Sequence, residues 1–520
     1  MSDRWQMYTA AVPQIASGWR FDALTPPSRL GGSNGMTFGP DGRLYVTQVF
    51  ASQVTAIDID SGAHEVFSPL GSGIVGPDDA FFGADGTFYA TEPLIGRVTA
   101  RNPDGSYRVL RDDLPAANGI TMDHARQRLF VDEFRPGGRL MELDPSGQGE
   151  PTFFMDELNG PNAPAMGPDG RLYFPQVFAN EIWVYDIDAG RGQLLFDDVN
   201  VPTAVKFDSR GRLITSESGA GCITAIDLET GVREILAEVP KGIDNVSVGP
   251  DDRIFVAHYV NGRVAEETGN RHRILSEPGL LGPHGLAVAA DGSLLVADGL
   301  SVASVSADGT IERLLTLLIE LHTLALGVCP LGGDLAVLAL TGEVLLYQQG
   351  SSEPSVMVGG LIEPSAIVAD GANRVLVVER GANQVVRVDR DGHRDTIVSG
   401  LSSPAAIARD ELGTVYVSQG TTVAVIDKEG AHRATIDGFI SAQGLAVGGG
   451  TLLVADAGAH QLVAVDVESG AKTVVVSDAP IGQPVAGLVP AAFCSVVADG
   501  SGGFYVGANG DGSIRRVSRT

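Results

Sequence analysis

Residues 33–48, SNGMTFGPDGRLYVTQ, form a complete hairpin pattern. Met36 and Phe38 lead into a Gly-Pro-Asp-Gly turn, and Leu44 and Val46 run back out on the same alternating face. A turn centred on Asp41 sets Asn34 opposite Gln48 across the ladder. The open ends of the hairpin are therefore polar, and its body is apolar.

The same unit returns at a spacing of about 40 residues, for example as FFGADGTFYATE (81–92), AMGPDGRLYFPQ (165–176) and SVGPDDRIFVAH (247–258). Each copy is followed by a third short strand, such as residues 53–59, and a fourth, such as residues 64–67. Four short antiparallel strands per repeat, with turn residues between them, are the sequence form of a propeller blade. About twelve repeats are present. The expected fold is all-β: two tandem six-bladed β-propellers of four-stranded antiparallel blades. Residues 1–18 form an N-terminal extension, residues 19–268 the first propeller and residues 269–520 the second. Residues 19–24 read as an outer strand lacking three partners, and residues 513–518 as a third strand lacking its fourth. In the expected closure, 19–24 completes the first ring and 272–275 completes the second, removing free sheet edges. A single continuous ring and a seven-plus-five division are less favoured.

Composition narrows the class. The 520 residues are 44% hydrophobic and 19% charged, which suits a globular chain with ample core. A net charge of −28 disfavours nucleic acid and anionic membrane surfaces as partners. The most apolar run, 314–326, is interrupted by Glu320 and His322, so no membrane span is expected. Three scattered cysteines and a start without a basic, apolar leader point to the cytoplasm rather than to a disulfide frame.

In a propeller, the start of each first strand and the end of each second strand face the same channel mouth. In the first six hairpins the first ring reads Asn34, Asp78, Asn118, Asn162, Thr203 and Asp244. The second reads Gln48, Glu92, Glu133, Gln176, Glu217 and His258. Every slot is polar, and the carboxylates, with Asp132 beside them, would repel one another without a cation. In the second half Ala325, Ala405 and Ala339 interrupt both rings, so the active mouth is expected in the first propeller. Oxygen donors of this kind suit one divalent cation, Ca²⁺ before Mg²⁺ or Mn²⁺, with Zn²⁺ also admissible. Phe50 and Phe178, in matching Gln-Val-Phe-Ala segments three blades apart, read with Phe134 and Tyr259 as apolar walls for a small organic substrate. The opposite reading is that Asn and Asp before strands are ordinary turn residues, and that the aromatics pack between blades.

Asn118-Gly119-Ile120 with 129–132 (LFVD), and Gly242-Ile243-Asp244 with 255–264 (FVAHYVNGRV), resemble the senescence marker protein/gluconolactonase family. The resemblance implies a six-bladed propeller holding one divalent cation, often calcium, and lactonase or related hydrolase activity. It implies Asp244 as the family aspartate, Asp78 in place of the family glutamate, and Asn162 and Asn118 as asparagine ligands, with Thr203 at the remaining asparagine slot. Shorter cues, Thr91-Glu92 with 95–98 and Gly282-Pro283-His284-Gly285, look like virginiamycin B lyase and NHL repeats.

The expected activity is metal-dependent hydrolysis of a lactone or related ester. Glu217 or His258 is the expected base, and Glu92 and Glu133 are further acids or ligands. Asn34, Gln48, Gln176 and Thr203 are expected to contact substrate. A lyase or isomerase that removes an α-proton and a non-enzymatic binding platform are the alternatives. No GxSxG, HExxH or P-loop motif supports another hydrolytic chemistry.

Overall fold

The computed structural model describes residues 12–269, 271–483 and 494–520. Among them there is no α-helix, and hence none long and apolar enough to cross a membrane. The strands form twelve sheets, each with a four-stranded antiparallel meander at its heart. The opening hairpin behaves as its residues require. Met36 pairs with Val46 and Phe38 with Leu44, so the turn is centred on Asp41. Asp41 accepts from the Arg43 backbone N–H at 3.1 Å and from the Tyr45 hydroxyl at 3.0 Å. Gly42, at φ 79°, takes the left-handed turn position. Leu44–Gln48, Gln53–Ile57 and His64–Ser68 follow as the second to fourth strands.

The chain divides into two compact units. Among the described residues one spans 29–278, and the other comprises 12–28, 279–483 and 494–520. In the 29–278 unit six sheets follow one another in sequence. Their innermost strands are Met36–Phe38, Ala80–Phe82, Ala117–Asp123, Ala165–Met166, Pro202–Phe207 and Ile243–Val248. These contact one another in a closed cycle, the sixth returning to the first, as the blades of a propeller do. Apolar side chains between neighbouring sheets form the core. Between the first two blades, for example, Tyr45 meets Phe82 edge-to-face at 4.8 Å, over Val54, Ile74 and Phe88.

The other unit also closes a cycle of six sheets, from Gly285–Val288 round to Val496–Ala498. Its last sheet holds Val496–Ala498, Phe504–Ala508 and Ser513–Arg519, and is completed by Trp19–Ala23 from the start of the chain. Trp19 pairs with Arg519 and Ala23 with Arg515. Gln14–Ile15 adds a fifth strand to the sheet ending in Lys472–Ser477.

These pairings correct the expected boundaries of 19–268 and 269–520. Among the described residues, the 29–278 unit takes no strand from the N-terminus. Its sixth blade is finished by Arg271–Ser276, paired with Val264–Thr268 in a hairpin whose end residues are Thr268 and Arg271. Only two residues separate Thr268 from Arg271 in the sequence, so closing that hairpin costs very little loop entropy and the local strand outcompetes a distant one. The units are nested in sequence rather than in tandem. Residues 1–11, most of the expected N-terminal extension, lie outside the described residues.

Candidate metal and catalytic site

The start of each innermost strand in the 29–278 unit places a short polar side chain, but these side chains do not act alike. Asn34 Nδ2 donates to Asp78 Oδ1 at 3.2 Å, and the Asn34 amide also favours the charged form of Asp244. The Asn118 amide likewise favours the charged form of Asp78. Asn34, Asp78, Asn118 and Asp244 therefore converge from the first, second, third and sixth blades, which are contiguous round the ring. Desolvation pushes Asp78 up to about 7, the adjacent Asp79 charge adds to this, and the two asparagines oppose it. Desolvation and the Asp78 and Asp79 charges hold Asp244 well above the usual carboxylate range. The Asn118 Oδ1 atom is buried and has no hydrogen-bond partner.

The remaining two slots differ. Thr203 is turned into the wall, its hydroxyl bonding Ser216 Oγ at 2.9 Å and the Ile243 carbonyl at 3.1 Å. Packing occupies it, contrary to the expected substrate contact. Asn162 is buried at the equivalent position of the fourth blade, and no side-chain hydrogen bond joins it to the quartet among the described residues.

The second ring is a set of loop clamps. Gln48 Oε1 accepts from the Gly31 N–H at 3.0 Å, Gln176 Oε1 from Asn159 at 2.7 Å, and Glu217 Oε2 from Asn200 at 3.0 Å. Each bond reaches seventeen residues back, to the loop entering the blade. For Gln48 and Glu217 the other polar atom meets the third strand. Gln48 Nε2 donates to Thr55 Oγ1 at 2.7 Å, and Glu217 Oε1 accepts from Thr224 Oγ1 at 2.6 Å. Glu92 is fully buried against Arg97, and Glu133 against Arg135 and Arg139. His258 donates from Nε2 to the Pro240 carbonyl at 3.0 Å, and burial pushes its imidazole down to about 3. The other unit uses the same device, with Glu379 Oε1 accepting from Ile362 and Gln419 Oε1 from Ser402, each at 3.0 Å. These contacts give Glu217, His258, Glu92 and Glu133, expected as catalytic groups, and Gln48 and Gln176, expected to contact substrate, partners within the fold. The loop N–H finds its acceptor at the end of the second strand.

The aromatic walls are also revised. Phe50 and Tyr259 are each only 4% exposed. Phe134 and Phe178, from neighbouring blades, pack on one another at 5.0 Å, with Phe178 partly open to solvent.

A second polar group, which the sequence reading missed except for Asp132, adjoins the quartet. Asp79 accepts from the backbone N–H groups of Ala80 at 2.9 Å and Ile120 at 3.3 Å, and from Asn245 Nδ2 at 3.4 Å. Asp132 Oδ1 accepts from the Gly119 N–H at 2.8 Å, and Asp132 is pushed up to about 8 by desolvation. A Cβ at Gly119 would lie 2.4 Å from both Asp132 Oδ2 and the Ala163 nitrogen, so only glycine permits this approach. Lys206 is pulled down by desolvation and held up by the Asp79 and Asp132 charges. A lysine inside the apolar run Ala204-Val205-Lys206-Phe207 was the available sequence signal for this group.

Among the described residues, no three His, Cys, Asp or Glu side chains gather as a metal-holding group. An ion at the quartet would draw on two carboxylates and amide oxygens. The partnerless Asn118 Oδ1 and the raised pKa of both buried, mutually repelling aspartates fit such an ion.

Residues 28–195 match the SMP-30/Gluconolactonase/LRE-like region. This stretch carries Asn34, Asp78, Asn118 and Asn162 and falls almost wholly within the 29–278 unit, bearing out the resemblance seen in the 118–132 hairpin; the 242–264 hairpin lies beyond the match. No curated protein matches the chain. Among solved structures, a protein assigned as a gluconolactonase is 15% identical, covering 51% of this chain and 96% of its own, at a TM-score of 0.40. A calcium-binding regucalcin from Agrobacterium tumefaciens is 18% identical, covering 46% of this chain and 85% of its own, at a TM-score of 0.37. The nidogen/laminin complex is 18% identical, covering 40% of this chain and 80% of its own, at a TM-score of 0.35.

Proposed function

We propose that this protein is a metal-dependent hydrolase of a lactone or related small ester, acting at the quartet of the 29–278 unit. The observation that carries the reading is the convergence of Asp78, Asp244, Asn34 and Asn118 from four contiguous blades. The SMP-30/Gluconolactonase/LRE-like match over three of those blades supports it. Asp78, Asp244 and Asn118 Oδ1 would hold the ion, and the all-oxygen donor set favours Ca²⁺ over Mg²⁺, Mn²⁺ or Zn²⁺. When bound, a divalent cation supplies a Lewis acid for an ester carbonyl and lowers the pKa of water. Asn34 orients both carboxylates through its amide. Glu217, His258, Glu92 and Glu133 make loop and arginine contacts at the ends of the second strands.

Elemental analysis of protein purified without chelator, alongside the Asp78→Ala/Asp244→Ala double variant, tests this. Wild type is expected to carry a divalent ion and to open lactones by adding water. The folded variant is expected to lose both properties. Metal-free wild type that also fails to bind calcium on titration defeats the proposal. An alkene product in place of a hydroxy acid would show elimination instead.

A further inference from the structure

The unit of residues 12–28, 279–483 and 494–520 carries a cavity that the proposed hydrolysis does not use. It measures about 190 Å³ and is lined by the innermost strands of all six sheets in that unit's cycle. Consecutive residues of one strand, from Ala405 to Arg409, lie along it, a depth of about 13 Å at the rise of an extended chain. Side chains alternate along a strand, so an unbroken run of lining residues means that the strand's edge fronts the cavity. Each innermost strand is paired on one side only, which leaves backbone N–H and C=O groups on the free edge. Apolar side chains flank these edges, and Ile367, Val368 and Val497 stay half-buried although they lie on innermost strands. In the fourth blade Ala405 takes the slot that holds Asn162 in the 29–278 unit, so the channel is left open there. Among the described residues, no carboxylate lines the cavity. Arg409 is committed to Asp370 at 3.0 Å, and burial pushes His284 down to about 4, which leaves its ring uncharged at neutral pH. Two polar side chains at the strand starts are held in place with bonding capacity to spare. Ser495 Oγ accepts from the Leu286 N–H at 3.0 Å and keeps its own proton to donate. Gln443 Nε2 donates to Ser441 Oγ at 2.9 Å, and its Oε1 has no donor among the described residues.

We propose that this channel is a second ligand site, for a small uncharged organic molecule with an apolar body and a hydroxyl or carbonyl head. Ser495, Gln443 and the backbone edges offer both donors and acceptors to such a head, and the flanking side chains cover its body. Water alone would satisfy the edges but would leave Ile367, Val368 and Val497 wetted. An ion of either sign would leave water without an opposite charge to meet it. An apolar cavity of about 150 Å³ accommodates benzene. The larger space here has room for a body of that size together with its head group. The site needs no metal, and it stands or falls apart from the proposed hydrolysis.

Titration of the full chain in chelator with cyclohexanol, cyclohexanecarboxylate and cyclohexylammonium, read by calorimetry and saturation-transfer NMR, tests this. Cyclohexanol is expected to bind at one equivalent, and the anion and the cation about tenfold or more weakly. Ala405→Leu, which fills the channel, is expected to weaken cyclohexanol binding about tenfold or more, because the body no longer fits. Gln443→Met keeps the side chain's length and removes its polar end, and is expected to weaken binding about threefold or more. Wild type that binds none of the three probes holds water only, and this overturns the assignment. Equal binding of all three, or cyclohexanol affinity unchanged in either folded variant, overturns it as well. If Ala405→Leu does not fold, Gln443→Met decides: weakened binding supports the site and unchanged binding overturns it. Wild type that fails to bind calcium defeats the metal-hydrolase reading, while these titrations in chelator still decide the second site.

Discussion

Asp78 is the residue on which pH should act most visibly. Its folded-state value of about 7 stands above the ordinary 3.8 of an unfolded aspartate, so the ion-free fold binds the extra proton. Stability from this group is fully present below the unfolded value and is lost as pH rises through about 7. Asp132, pushed up to about 8, acts in the same sense over a slightly higher range. Chelated protein is therefore expected to melt at lower temperature at pH 8 than at pH 5, and calcium should restore Tm at pH 8 by taking the place of the protons. Conversely, calcium affinity should weaken on acidification below about 7, roughly tenfold per pH unit for each proton displaced. Calorimetric melting and titration across pH 5 to 8 would check both, and a Tm that rises with pH in chelator would contradict them. The polar character of Asn34, Asp78, Asn118 and Asp244 was legible from hairpin register alone. Asp79, Lys206 and Asn245 were not, because their roles depend on side chains brought in from other blades.

At the scale of the element, the second strand and the loop before its blade act as one unit. Gln48, Gln176, Glu217, Glu379 and Gln419 perform the same bond with either an amide or a carboxylate. The acceptor oxygen matters and the charge does not. Glu217→Gln is accordingly expected to change stability by less than about 1 kcal/mol and to leave turnover intact. Glu217→Ala should cost about 1–3 kcal/mol, because it strands the Asn200 N–H and the Thr224 hydroxyl. Denaturant melts with parallel lactone assays would separate the two roles. A folded Glu217→Gln protein without activity would return Glu217 to the chemistry. The loop N–H that each of these strand ends meets lies seventeen residues upstream, where no local pattern marks it in the sequence.

For the whole molecule, strand exchange distinguishes the units. The 29–278 unit closes with its own consecutive strands, whereas the other borrows Trp19–Ala23 for its last sheet. A fragment of residues 29–278 is expected to fold alone with a cooperative melt. A fragment of residues 279–520 should leave the Ser513–Arg519 edge bare and aggregate or melt early. Co-expression with residues 12–28 attached to it should recover a stable unit. Circular dichroism and light scattering on the three fragments would check this, and equal stability of 279–520 with and without the strand would contradict it.

What the chain determined by itself is the blade. Alternating apolar residues, Gly-Asp turns and a spacing of about 40 residues specify four-stranded antiparallel meanders, because these signals act within a few residues of one another. The tertiary structure alone decided which strand closes which ring, and which polar strand ends are clamps rather than ligands. Both outcomes depend on hydrogen bonds and charges between distant segments, where competition among partners is settled only once the sheets have packed.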